Sequence, residues 1–108
     1  MKKTPLLAAL VLVAALPAIA ASGDSEAGRK KSTPCKACHG ENGLGISAEF
    51  PTIAGQPADY LSSALTHYKN GKRKNPIMQG QVAALTPRDI QDLAAYYSSL
   101  KSPLEHKY

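Results

Sequence analysis

Cys35, Cys38 and His39 stand within the five-residue run CKACH, and the 108-residue chain holds no other cysteine. On a helix, these side chains fall at i, i+3 and i+4 and leave from one face. Four chemistries can use that arrangement. A disulfide suits an oxidising compartment, but it uses two thiols and gives the imidazole no role. A zinc site needs four ligands in a closed tetrahedron, and the other histidines, His67 and His106, are single residues far apart in the chain. A thioredoxin-type dithiol needs a βαβ setting, and no run here alternates apolar and polar residues with β-branched enrichment as a strand does. Covalent haem attachment uses all three residues, and C-x-x-C-H is its signature. Two thiols one helical turn apart can reach the two vinyl groups on adjacent edges of one porphyrin, while the next residue's imidazole comes up beneath the iron.

An iron held by His39 takes either a second protein ligand or an open position, and that choice separates electron carriers from enzymes. Met78 is the candidate, because the only other methionine is Met1. In NPIMQG it falls within a long connection rather than on an apolar helical stripe; a gap-filling hydrophobe is the alternative. A thioether is a soft ligand that favours ferrous iron, so His/Met ligation raises the reduction potential. With both axial positions filled by protein, substrates are shut out and electrons pass.

The elements that must position these groups read as helices. In PADYLSSALTHYKNG, Leu61, Ala64, Leu65 and Tyr68 follow the i, i+3, i+4, i+7 pattern of one face; Pro57 suits the first turn and Asn70-Gly71 the stop. In TPRDIQDLAAYYSSL, Thr86 caps, Pro87 takes the first helical position, and Asp89 and Asp92 set negative charge near the positive end of the dipole. Ile90, Leu93, Ala94 and Tyr97 repeat the stripe, and Pro103 marks the end. A further helix is expected from about Asp24 to Ser32. Thr33-Pro34 should interrupt it, since proline disfavours helical geometry at the residue before it; Pro34 then opens a short helix, capped by Thr33, that carries the cysteines. The remaining connections, Gly40 to Gln56 and Gly71 to Leu85, are long enough to be functional or wrapped around something.

The first 20 residues, MKKTPLLAALVLVAALPAIA, have the three-part layout of a secretory signal peptide, with cleavage expected after Ala20. Residues 21–108 then form one small domain without stable membrane insertion. A domain of that size leans on a disulfide, metal or cofactor, and with one Phe, no Trp and many alanines its core looks underfilled. Removing Lys2 and Lys3 leaves 11 Lys+Arg against 8 Asp+Glu, a net charge of +3, too small an excess for nucleic acid to be the main partner. The cluster Lys69, Lys72, Arg73 and Lys74 beside the Met78 segment is either a solvated turn or a surface that steers an acidic partner.

These residues resemble the class I cytochromes c, in particular the short bacterial cytochromes of the c4, c5 and c553 group. The resemblance covers nearly all of residues 21–108: CKACHG, FPTIAGQP, YLSSALTHYKNGKR, PIMQG and LTPRDIQDLAAYYSSL. It implies an all-α class I cytochrome c fold, with three main helices and long loops around one covalently bound haem c. By position, Cys35 and Cys38 attach the haem, His39 and Met78 ligate its iron, and Pro51 resembles the proline whose carbonyl accepts the Nδ1 hydrogen of the proximal imidazole. Gly28 and Tyr97 resemble the small residue and aromatic where first and last helices cross, and Arg73 the basic residue near the propionates. Pro34 departs from the pattern. The implied function is that of a periplasmic one-electron carrier, not an enzyme, working between respiratory or dehydrogenase partners. The alternatives are a haem enzyme or sensor, or a dedicated subunit of a larger oxidoreductase.

Overall fold

The structure, a computed structural model, describes residues 2–13 and 23–104. Residues 2–13 carry neither helix nor strand, and the expected cleavage point after Ala20 lies outside the described residues. Five helices follow: α1 (Ser25–Lys31), α2 (Thr33–His39), α3 (Ala58–Asn70), α4 (Pro76–Val82) and α5 (Pro87–Ser99). No strand occurs among the described residues, and no helix there is long and apolar enough to cross a membrane.

Local chemistry starts and stops these helices. The Asp24 carboxylate accepts from Glu26 N and Ala27 N to open α1. Thr86 and Asp89 form a reciprocal capping box at α5, with Pro87 in the first turn. Gly71 ends α3 in the left-handed region at φ 80°, where glycine carries no Cβ penalty. Along α3 the expected stripe is the one turned inward: Leu61 is buried and Ala64, Leu65 and Tyr68 are half-buried.

Two expectations need correction. Ser32, not Thr33, occupies the cap position of α2, and Thr33 is its first residue. The interruption falls one residue earlier than the expected Thr33-Pro34 step, at Ser32, which makes no side-chain cap; its hydroxyl donates back to the Arg29 carbonyl at 2.7 Å. Nor is Gly71 to Leu85 a continuous loop. Asn75 Oδ1 accepts from Ile77 N at 3.0 Å and Met78 N at 3.1 Å, and with Pro76 behind it this starts α4.

α1 and α5 make the most extensive contact between helices. Gly28 is buried at the crossing: a Cβ there would meet the Asp92 carbonyl oxygen at 2.0 Å and Tyr96 Cβ at 2.8 Å. The aromatic nearest Gly28 is therefore Tyr96 rather than the expected Tyr97, and both rings belong to the buried core cluster. Among the described residues the central core cluster is small: Leu61, Leu93, Ala94, Tyr96 and Tyr97, with half-buried Ile53, Leu65, Leu85 and Leu100 packed against it.

Asp92, expected only to complement the helix dipole, is 2% exposed and clasps the two helices. It accepts from Asp24 N at 2.8 Å and Lys31 Nζ at 2.6 Å, with Arg88 Nε at 3.2 Å. Lys31 also reaches Asp89 at 2.9 Å. The Thr86 N–H and then the Lys31 ammonium hold the Asp89 carboxyl at about 2. The Lys31 hydrogen bond, followed by that from Asp24 N–H, holds Asp92 below the ordinary carboxylate range. Both titrate lower folded than unfolded, so their stabilisation is complete above the unfolded value of about 3.9 and lost as pH falls through the folded ones. Urea midpoints should therefore fall between about pH 5 and about pH 2, and Asp92→Asn should flatten that acid limb. An unchanged slope in the variant would show that the clasp is not the group being titrated.

Candidate functional site

α2 presents the sequence motif on one face. Cys35 and Cys38 are half-buried and His39 is buried, at 8% exposure. Burial, opposed by a nearby Tyr97 hydroxyl, pushes the Cys35 thiol above its ordinary range. Gly40 ends the helix, and the chain folds back on it: Gly45 N donates to the His39 carbonyl at 2.7 Å and Ile46 N to the Cys38 carbonyl at 3.1 Å. Gly45 sits at φ 83°, where a Cβ would meet the Phe50 carbonyl oxygen at 2.2 Å; only glycine permits this turn.

The fold-back delivers Pro51. Its carbonyl lies 2.9 Å from His39 Nδ1. A carbonyl can only accept, so this pairing requires the proton on Nδ1 and leaves the Nε2 lone pair free to bind a metal. The partner that the family resemblance assigns to His39 is thus in hydrogen-bond contact with it.

Met78 arrives from another direction, on the first turn of α4, half-buried and held by the Asn75 cap. It lines the same cleft as Cys35, Cys38, His39 and Pro51, a space of about 360 Å³. The other walls are largely apolar. α3 contributes Leu61, Ala64 and Leu65; α5 contributes Leu93, Ala94 and Tyr97.

Two further polar side chains, both singled out by the family resemblance, stand at the cleft. Arg73 lies at its edge, its guanidinium 4.9 Å above the Tyr68 ring and its Nη1 3.4 Å from the Tyr60 hydroxyl. The contact with Tyr60 raises the Arg73 pKa further, so this cation stays charged. Tyr97 is the other: its hydroxyl is buried with no hydrogen-bond partner. A wall with two thiols, an imidazole presenting Nε2, a thioether, an unmet phenol and apolar surface fits a flat, largely apolar macrocycle with a metal centre. Cys35 and Cys38 could tether such a group, and His39 and Met78 could ligate its metal.

Comparison with known proteins agrees with that fit. The family model described as cytochrome c matches residues 25–101. The chain is 42% identical over 81 residues to cytochrome c-554(548) of Halomonas halodenitrificans, covering 72% of this chain and 98% of that one. It is 39% identical over 72 residues to the thiosulfate dehydrogenase electron acceptor of Thiomonas intermedia, covering 66% of this chain and 33% of the relative. Among solved structures, reduced recombinant cytochrome c4 from Pseudomonas stutzeri superposes with a TM-score of 0.71 at 39% identity. That match covers 74% of this chain and 47% of the other. The chain thus spans nearly all of the Halomonas protein, about half of the cytochrome c4 chain and a third of the electron acceptor.

Proposed function

The chain belongs to the cytochrome c family, and from that premise we propose that it is a periplasmic carrier of single electrons on one haem c. Cys35 and Cys38 hold the haem, and His39 and Met78 ligate its iron. The convergence of His39 and Met78, on two helices well separated in sequence, in one apolar-walled cleft carries this reading. Two cysteines in a single C-x-x-C-H allow one attachment of this type.

When bound, haem c supplies a reversible one-electron couple at its iron. The protein's residues set the terms of that couple. The Nδ1–H bond to Pro51 fixes the tautomer and ring orientation of His39 and makes Nε2 a better donor. The Met78 thioether favours the reduced state and closes the position a substrate would take. The largely apolar walls lower the local dielectric, which strengthens both effects.

Residues 1–20 would act as the export signal, leaving residues 21–108 in the periplasm. Arg73 borders the cleft, and with the exposed Lys72 and Lys74 on either side of it in the chain would steer an acidic redox partner. A dedicated partner within a larger oxidoreductase is the second reading, favoured by the likeness to a relative described as an electron acceptor. Both readings use the same couple.

Absorption spectra of purified protein in both redox states test the proposal, with oxidation by an acidic partner protein followed at two ionic strengths. Low-spin spectra unchanged by carbon monoxide, and a rate that falls with salt, are expected. A high-spin ferric form would replace the carrier with an open-site enzyme or sensor. Absence of haem absorbance would remove both, and a salt-insensitive rate would remove the acidic partner.

A further inference from the structure

Tyr97 carries the one buried side-chain N or O atom without a hydrogen-bond partner among the described residues. Native proteins rarely tolerate this, because a buried unmet hydroxyl costs its full desolvation, and an exception points to a functional partner. The ring is fixed from several sides. Tyr96 lies 5.0 Å away at a 59° tilt, and Tyr97 Cδ1 would stand 3.0 Å from a Cβ on Gly43. Tyr97 lines the cleft, 4% exposed, and its polar neighbours are Cys35 and Ser32. Ser32 donates its hydroxyl hydrogen to the Arg29 carbonyl, and no hydrogen bond joins its oxygen to Tyr97. The phenol is held neutral by burial, which raises its ionisation well above the ordinary tyrosine value, so it is a donor in every ordinary buffer.

We propose that the Tyr97 hydroxyl is a potential-setting donor that hydrogen-bonds to the Cys35 sulfur in the loaded protein. The inference rests on the haem reading above. A free Cys35 thiol can give or accept a hydrogen bond, whereas a thioether can only accept, so attachment turns an ambiguous neighbour into a defined acceptor. The bond places the positive end of the O–H dipole at the edge of the cofactor, where it stabilises the added electron. The phenol moves no proton and no electron; its contribution is electrostatic.

Tyr97→Phe removes the hydroxyl and keeps the ring. Its loaded form should show a lower ferrous-to-ferric ratio at a fixed applied potential, by up to about fivefold, the ceiling set by the net worth of one hydrogen bond. At 59 mV per tenfold for one electron, that ceiling is about 40 mV. Tyr96→Phe is the control: Tyr96 is also buried but does not line the cleft, and its potential should match the parent. A Tyr97→Phe potential equal to the parent, or an equal shift in Tyr96→Phe, would overturn the proposal. If Tyr97→Phe fails to assemble, redox-difference infrared spectra of parent protein with ring-deuterated tyrosine serve instead. A tyrosine C–O band that shifts on reduction, and is retained in Tyr96→Phe, is expected; no shifting band would sink the idea. Failure of the haem reading looks different, because the parent would then show no haem absorbance.

Discussion

Met78→Leu should leave the protein folded and drop its reduction potential by on the order of 100 mV or more, since axial-ligand choice spans about 0.8 V across haem proteins. The spectrum should also change, from one indifferent to carbon monoxide to one that carbon monoxide alters, and the weak near-infrared band of Met-bound ferric iron should vanish. Two roles compete for Met78, and magnitudes separate them. As a gap-filler, the exchange conserves volume and costs less than about 1.5 kcal/mol with no spectral consequence. As the second axial ligand, it removes the only thioether in the described cleft. The local fold is insulated from the change. α4 is started by Asn75 and Pro76, and Met78 contributes to that start only through its backbone N–H, which leucine retains. Redox titration with carbon monoxide difference spectra reads both effects. A potential and spectrum equal to the parent would remove Met78 from the iron.

How far the sequence revealed this arrangement depended on the distance over which each signal acts. Thr86, Pro87 and Asp89 lie within one turn, and the capping box they form made α5 legible. CKACH was legible because attachment chemistry needs its residues adjacent. α4 escaped notice because its seven residues make barely two turns, too few for a periodic stripe to stand out; only the Asn75-Pro76 start could have announced it. The burial of Asp92 depends on Asp24 and Lys31, more than sixty positions away, and nothing local to Asp92 distinguishes a clasp from a solvated dipole partner. The tyrosine pair is more instructive. Periodicity set Tyr97 on one stripe with Leu93 and Ala94, whereas the family resemblance placed it at the crossing with Gly28. Successive helical residues differ by about 100° in direction, so Tyr96 and Tyr97 leave α5 toward different neighbours. The structure sides with the stripe: Tyr97 shares the cleft with Leu93 and Ala94, and Tyr96 covers Gly28.

That crossing sets the other large expectation. Gly28→Ala should destabilise the loaded protein even though alanine is the better helix former. In the interior of α1 the exchange would by propensity alone gain about 1 kcal/mol. Against this, the new Cβ would stand 2.0 Å from the Asp92 carbonyl oxygen and 2.6 Å from its carbon. Those atoms are backbone of α5, so no side-chain rotation relieves the overlap and the helices must separate. Overpacking of this kind costs about 3 kcal/mol at the upper end of its usual range, leaving a net loss of about 2 kcal/mol. For a domain of this size that is roughly a 10 °C fall in Tm. The separation would also stretch the Asp92 contacts to Asp24 and Lys31, so the acid limb of stability should shift in the same variant. Gly80→Ala supplies the contrast: it also lies inside a helix, and a Cβ there meets nothing within 4 Å, so the propensity gain should stand alone. Thermal denaturation of the two loaded variants beside the parent decides the matter. Equal stabilisation of both would mean that α1 and α5 do not approach as closely as the 2.0 Å contact requires. A fall confined to Gly28→Ala would make this crossing the joint that seats α5, and with it the α5 wall of the cleft, against α1.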